Sequence, residues 1–213
     1  MSISTDKYLA ELLSTIEDEI RKFGEDQTLP VRSQIAGMLA GLVNARKQSS
    51  LAPSDRFHIE KSTEIILSHV RGKILEVGCG IGELAFQIAQ KTASAVLGID
   101  RDKTVINIAQ RTKDELKIKN LQYRTSDIRD FDFGDKFDTI IFSFVLHDYS
   151  NPKAIISAAA GHLEKAGQIL VVDTDHDNLM SVIESDFRTE SKAHLGRKHS
   201  HGRLSDVFFL KIV

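Results

Sequence analysis

The ten residues Lys73–Gly82, KILEVGCGIG, constrain this chain more than any other stretch. Ile74, Leu75 and Val77 have strand character and run directly into glycines at 78, 80 and 82. Leu84, Phe86, Ile88 and Ala89 then recur on one face of a helix. A strand that ends on alternating glycines and turns into a helix brings bare backbone close to whatever lies above it. Glycine supplies the positive φ angles of such a turn and leaves no Cβ in a ligand's way. The helix start adds free N–H groups and a partial positive charge. A strand–turn–helix of this kind implies a nucleotide-type pocket.

The spacing narrows the choice. A dinucleotide fold uses G-x-G-x-x-G, and the third glycine here falls one residue too early. A phosphate-binding P-loop needs Lys and a hydroxyl residue after its glycines, where this chain has Ile81, Gly82 and Glu83. Glu76, inside the end of the strand, is an acid where a phosphate would want none.

The 213 residues suffice for one α/β domain with a modest extension, and 41% hydrophobic with 27% charged residues is ordinary for a globular protein. A formal net charge of −2 gives no general attraction to nucleic acid or an anionic membrane. The single cysteine, Cys79, excludes an internal disulfide and fits a reducing compartment. With neither an apolar run long enough to span a bilayer nor a signal-peptide pattern, the expected location is cytoplasmic.

Apolar spacing predicts three amphipathic helices before the first strand, over about 5–23, 31–47 and 57–70. Residues 1–55 read as a helical extension, either a lid over the pocket or a homodimer contact, and 56–213 as the main domain. From Lys73 strands alternate with helices, which predicts a doubly wound, mostly parallel α/β sheet. Strands are expected at 73–78, 95–99, 121–125, 137–144 and 168–172, with helices at about 82–91, 102–117 and 152–164 between them. Their carboxyl ends carry Glu76, Asp100, Ser126-Asp127 and Ser143. In such sheets ligands bind beyond those ends. A carboxylate at Asp100 can accept from both ribose hydroxyls, and one at Asp127 from an exocyclic amino group.

EVGCGIG, followed by GID, SD and FDTIIFSFVLHD, resembles the class I S-adenosylmethionine-dependent methyltransferases, over about residues 56–173. The resemblance implies a Rossmann-like fold and S-adenosyl-L-methionine as cofactor. It implies that Gly78, Cys79 and Gly80, with Gly82 closing the turn, lie against the methionine part, which Glu76 organises. Asp100 would hold the ribose, Arg101 or its neighbour would flank the adenine, and Asp127 and Ile128 would meet its edge. Ser143 and Phe144 would line the floor near the sulfonium. A cofactor without phosphate suits a pocket of acids.

Methyl transfer from a sulfonium is an in-line displacement, so the enzyme chiefly aligns the reactants and adds a base where the acceptor must lose a proton. SFVLHDYS follows the fourth strand, and His147 is the candidate base, with Asp148 and Tyr149 as weaker ones. The Asn/Asp-Pro-Pro-Tyr motif of amino-methylating enzymes is absent there, which together with the charge argues for a small-molecule acceptor over nucleic acid. DTDHDN at 173–178 offers oxygen ligands for Mg²⁺. The catechol-type enzymes also need an acid where this chain has Ser143, so no metal is expected. His194, His199 and His201 fall in a polar stretch that reads as a surface loop. Beyond strand five the pattern departs from the family. A helix is expected over about 178–190, then a hydrophilic run from Thr189 to Ser205, then one closing antiparallel strand from Val207. This leaves the sixth strand short or absent. The alternatives are a methyltransferase acting on RNA or protein, and a non-catalytic cofactor-binding partner subunit.

Overall fold

Runs of alternating inward residues too short for a helix build the centre of this protein. The computed structural model describes residues 53–132, 134–200 and 203–213, with 7, 10–12, 14 and 15 of the N-terminal segment. The helix expected at 31–47 and most of the one at 5–23 lie outside the described residues. The third expected helix is α1 (Pro53–His69). The strand β1 (Ile74–Val77) follows, then α2 (Glu83–Lys91), β2 (Val96–Asp100), α3 (Lys103–Glu115) and β3 (Leu121–Thr125). After β4 (Phe137–Ser143) come a 3₁₀ turn at Leu146–Asp148, α4 (Pro152–Ala160) and β5 (Leu163–Thr174). The short α5 (Leu179–Glu184) leads into β6 (Thr189–Ser200) and β7 (Arg203–Ile212).

The seven strands form one sheet in the order β3-β2-β1-β4-β5-β7-β6. β1 pairs in parallel with β2 and β4, β2 with β3 and β4 with β5. β7 runs antiparallel between β5 and β6. Neighbouring residues point to opposite faces of a strand, so Ile74 joins Phe86, Val105 and Leu121 on one side, while Leu75 joins Phe142, Ile156 and Met180 on the other. Every residue of β1 is buried, as a strand covered on both faces requires. Leu12, fully buried, packs into the same side as Ile66 of α1 and Leu195 of β6. Asp102 caps α3 by accepting from Thr104 N at 2.7 Å, and Asn151 caps α4, where Pro152 occupies the first turn.

The C-terminal end corrects the expectation of a shortened sheet. Thr189–Ser200 is a full strand, paired with β7 along its length, where a polar loop and a missing sixth strand were expected. From Thr189 to His194 exposure alternates residue by residue: Thr189, Ser191 and Ala193 turn inward while Glu190, Lys192 and His194 face solvent. The inward residues are small or hydroxylic, so hydropathy hides the period, and charges on an edge strand discourage pairing with other chains. The helix expected to reach residue 190 ends at Glu184, and β5 begins at Leu163, earlier than expected. The last rungs of the β6–β7 ladder, Arg197↔Asp206 to Ser200↔Arg203, continue past the end of β5, whose Thr174 pairs with Val207.

Candidate cofactor and acceptor site

The glycine turn is pinned to the neighbouring strand before it reaches the helix. Gly78 N and Cys79 N both donate to Ile99 O, at 2.8 and 3.0 Å. Gly78, Gly80 and Gly82 adopt φ of 73°, 53° and 86°. Two of them are also required for space. A Cβ on Gly82 would lie 2.2 Å from Tyr123 Oη, and one on Gly78 2.5 Å from Val145 Cγ2. Tyr123 Oη donates to Gly82 O at 2.8 Å, so β3 braces the turn from below.

Asp100, at the end of β2, reaches across to this turn. Its Oδ2 accepts from Gly80 N at 3.0 Å and its Oδ1 from Asp102 N at 2.9 Å, which aims the carboxylate over the glycines. Gly78, Asp100, Ser126 and Ile128 line one small cleft of about 80 Å³, over which Val145 and Tyr149 stand. Arg101 and Asp148 form part of its rim, and the Arg101 guanidinium lies 5.8 Å from the Tyr149 ring centre. A larger cavity of about 270 Å³ opens between Lys73, Lys119 and Arg124, but at the amino ends of the strands. Ligands of open α/β sheets bind at the carboxyl ends, which makes the smaller cleft the candidate site.

Glu76 is buried beneath the turn. Burial pushes its carboxyl up to about 8; an N–H from Ala85 at the start of α2 opposes this, and Asp100 and Glu83 add repulsion. Its Oε2 has no hydrogen-bond partner among the described residues, a costly state that a bound cationic group would relieve. Burial likewise pushes the Cys79 thiol up, so that side chain is inert packing. Asp127, expected at the edge of the adenine, is held by a neighbour. It accepts from Arg129 N, Nε and Nη2 at 2.9, 2.9 and 2.7 Å, and that guanidinium holds its carboxyl below the usual range. Ser143 ends β4, and Phe144 beside it takes a left-handed φ of 53°.

That turn of the chain at Phe144 sends three successive amides toward one buried side chain. Asp173 Oδ2 accepts from Val145 N, Leu146 N and His147 N at 3.2, 2.8 and 3.3 Å. Asp173 Oδ1 lies 2.5 Å from His147 Nδ1 and accepts from Thr174 N at 2.7 Å. His147 Nε2 lies 3.6 Å from the exposed Asp148. Sequence reading missed Asp173 as the partner of His147, having placed it only in the oxygen-rich run after β5. Asp175 of that run also has an internal task, accepting from Met180 N at 2.9 Å at the start of α5. Among the described residues no three His, Cys, Asp or Glu side chains gather as metal ligands, and no helix is long and apolar enough to cross a membrane. His194, expected on a surface loop, pairs from β6 with Asp206 at 3.0 Å.

The strand order, the glycine turn and the acid facing it from β2 define the class I S-adenosylmethionine-dependent methyltransferase architecture. Over residues 68–203 the sequence matches the family described as a methyltransferase domain, and the chain belongs to that family. It is 27% identical over 124 residues to the ribosomal RNA small subunit methyltransferase C of Haemophilus influenzae, covering 54% of this chain and 37% of the relative. It is 30% identical over 104 residues to the phosphatidylethanolamine N-methyltransferase of Cereibacter sphaeroides, covering 48% and 50%. The chain therefore spans about a third to a half of the length of these curated relatives. The magnesium protoporphyrin IX methyltransferase of Synechocystis, solved with its bound cofactor, shares the fold with a TM-score of 0.57 and 18% identity, over 100% of this chain and 99% of that one. The cofactor this family implies is S-adenosylmethionine. The residues present fit it: a buried carboxyl oxygen lacking a partner, a second carboxylate over bare backbone, and no Lys-and-hydroxyl cradle for phosphate.

Proposed function

We propose that this protein catalyses metal-independent transfer of a methyl group from S-adenosylmethionine to a small-molecule acceptor by in-line displacement. The observation that carries the reading is Asp100, fixed over the Gly78–Gly82 turn by the amides of Gly80 and Asp102. The bound cofactor supplies a methyl group on a positively charged sulfur. Asp100 retains lone pairs for the ribose hydroxyls, and Glu76 lies beneath the turn for the ammonium of the methionine part. Ser126 and Ile128 form the wall for the base, while Val145 and Tyr149 exclude water from above. His147 follows the end of β4, on the flank we assign to the acceptor. The net charge of −2 favours a small molecule over a polyanion.

Isothermal titration with S-adenosylhomocysteine tests the cofactor site. Asp100→Ala should weaken binding by about 1–3 kcal/mol, roughly fivefold to 150-fold; no heat with the unaltered protein would overturn the reading. A second reading, an RNA acceptor, has one relative in its favour, the ribosomal RNA methyltransferase. Transfer of labelled methyl into purified ribosomal RNA but not into a metabolite extract would establish it.

A further inference from the structure

The amino ends of β1, β2 and β3 hold a recess that the cofactor cleft does not use. α2 and α3 both pack on one face of these strands, where Phe86 and Val105 meet Leu121 and Tyr123. Residues alternate across a strand, so Gln122 and Arg124 fall on the other face, beside Leu97 of β2, which pairs with Gln122. The connection from Ser126 to Lys136 carries no helix among the described residues to cover that face. What remains there is the cavity of about 270 Å³.

Its charge is one-sided. Lys73, Lys119 and Arg124 line it with a single carboxylate, Asp135. Lys73 Nζ holds Asp135 Oδ1 at 2.6 Å, and that bond, with Arg124 nearby, keeps the carboxyl below its usual range. Asp138, the next acid along the chain, is engaged by the backbone, accepting from Lys73 N at 2.7 Å. The side chains of Lys119 and Gln122 have no hydrogen bond or ion pair among the described residues. Asn120 donates to Ala89 O and Ser94 O at 2.9 and 3.0 Å, which fixes the corner beside Lys119. The chain as a whole carries a formal charge of −2, so this positive excess is local. A recess lined by one sign of charge focuses its field on whatever enters.

We infer that this recess is a second binding site, for a small organic anion bearing phosphate or carboxylate groups. The guanidinium of Arg124 matches such a group with a planar pair of donors. Lys119 and the Gln122 amide add donors, and Leu97 meets the carbon skeleton of the ligand. The volume lies just under the roughly 300–1,000 Å³ of ordinary small-molecule sites, which suits a single metabolite. Val96 begins the strand that Asp100 ends, so the two sites lie at opposite edges of the sheet and this one does not depend on the methyl-transfer reading.

The test uses the whole chain at low ionic strength, with pyrophosphate and with citrate as probes. Calorimetry should show one-to-one binding of at least one of them. In ¹H–¹⁵N spectra the amides of Leu97, Asn120 and Gln122 should shift while those of the Gly78–Gly82 turn stay in place. Tighter pyrophosphate marks a phosphate compound as the ligand, and tighter citrate a carboxylate. Lys119→Gln should weaken binding about tenfold, and Arg124→Gln at least as much. Lys119 is exposed, so its variant should keep the fold and decides even if Arg124→Gln does not fold. Saturation with S-adenosylhomocysteine should leave the heat and the shifts unchanged. No heat with either probe, shifts confined to the glycine turn, or indifference to Lys119→Gln overturns the proposal. So does binding that vanishes for both probes at about 0.15 M salt, as diffuse charge attraction would. Failure of S-adenosylhomocysteine itself to bind instead overturns the methyl-transfer reading and leaves this site standing.

Discussion

Glu76 shows how a single residue can tie stability to ligand capture. Its carboxyl is raised from an ordinary value of 4.5 to about 8, chiefly by burial. Between those values the native protein keeps a proton that the unfolded chain has released. Stability therefore declines as pH rises through that window and stays low above it. A shift of this size corresponds to a few kcal/mol at most. Glu76→Gln should flatten the dependence, so urea midpoints at pH 5 and pH 8.5 should lie closer together than in the unaltered protein. The same substitution should weaken S-adenosylmethionine binding, because the amide offers no charge to an ammonium. A variant with an undiminished pH slope would mean that Glu76 is not the group responsible.

At the scale of elements, the turn between β1 and α2 is the least tolerant part of the site. Gly82→Ala would set a methyl against Tyr123 Oη while forcing φ of 86° on an alanine. It should destabilise the fold by about 1–3 kcal/mol, read as a lower urea midpoint; Tyr123→Phe, which loses one hydrogen bond to Gly82 O, should cost about 1 kcal/mol. This turn was legible because glycine spacing, strand hydropathy and the following helical face all point the same way. So was Asp100, whose position at a strand end follows from the apolar run before it. The pairing of His147 with Asp173 was not legible, since it joins the ends of two strands through a left-handed phenylalanine that no local pattern announces. Nor was β6, whose inward residues are too polar to register as a buried face. Asp127 was read correctly as lying at the end of β3, yet Arg129, only two positions on, takes up its carboxylate.

Across the whole molecule, cofactor and fold should reinforce one another. The cleft of about 80 Å³ is smaller than the roughly 300–1,000 Å³ of ordinary ligand sites, and Val145 and Tyr149 are part of its lining. Saturation at a hundred times the dissociation constant should stabilise the protein by about 2.7 kcal/mol. That corresponds to a rise of about 5–10 °C in Tm for a chain of this size, and a thermal scan without such a rise would count against the site. The antiparallel ladder also outruns β5. From Arg197↔Asp206 to Ser200↔Arg203 it stands roughly 10 Å proud of the sheet, alongside the strand end that carries Asp173. It is a parapet of two paired strands on one flank of the sheet's carboxyl end.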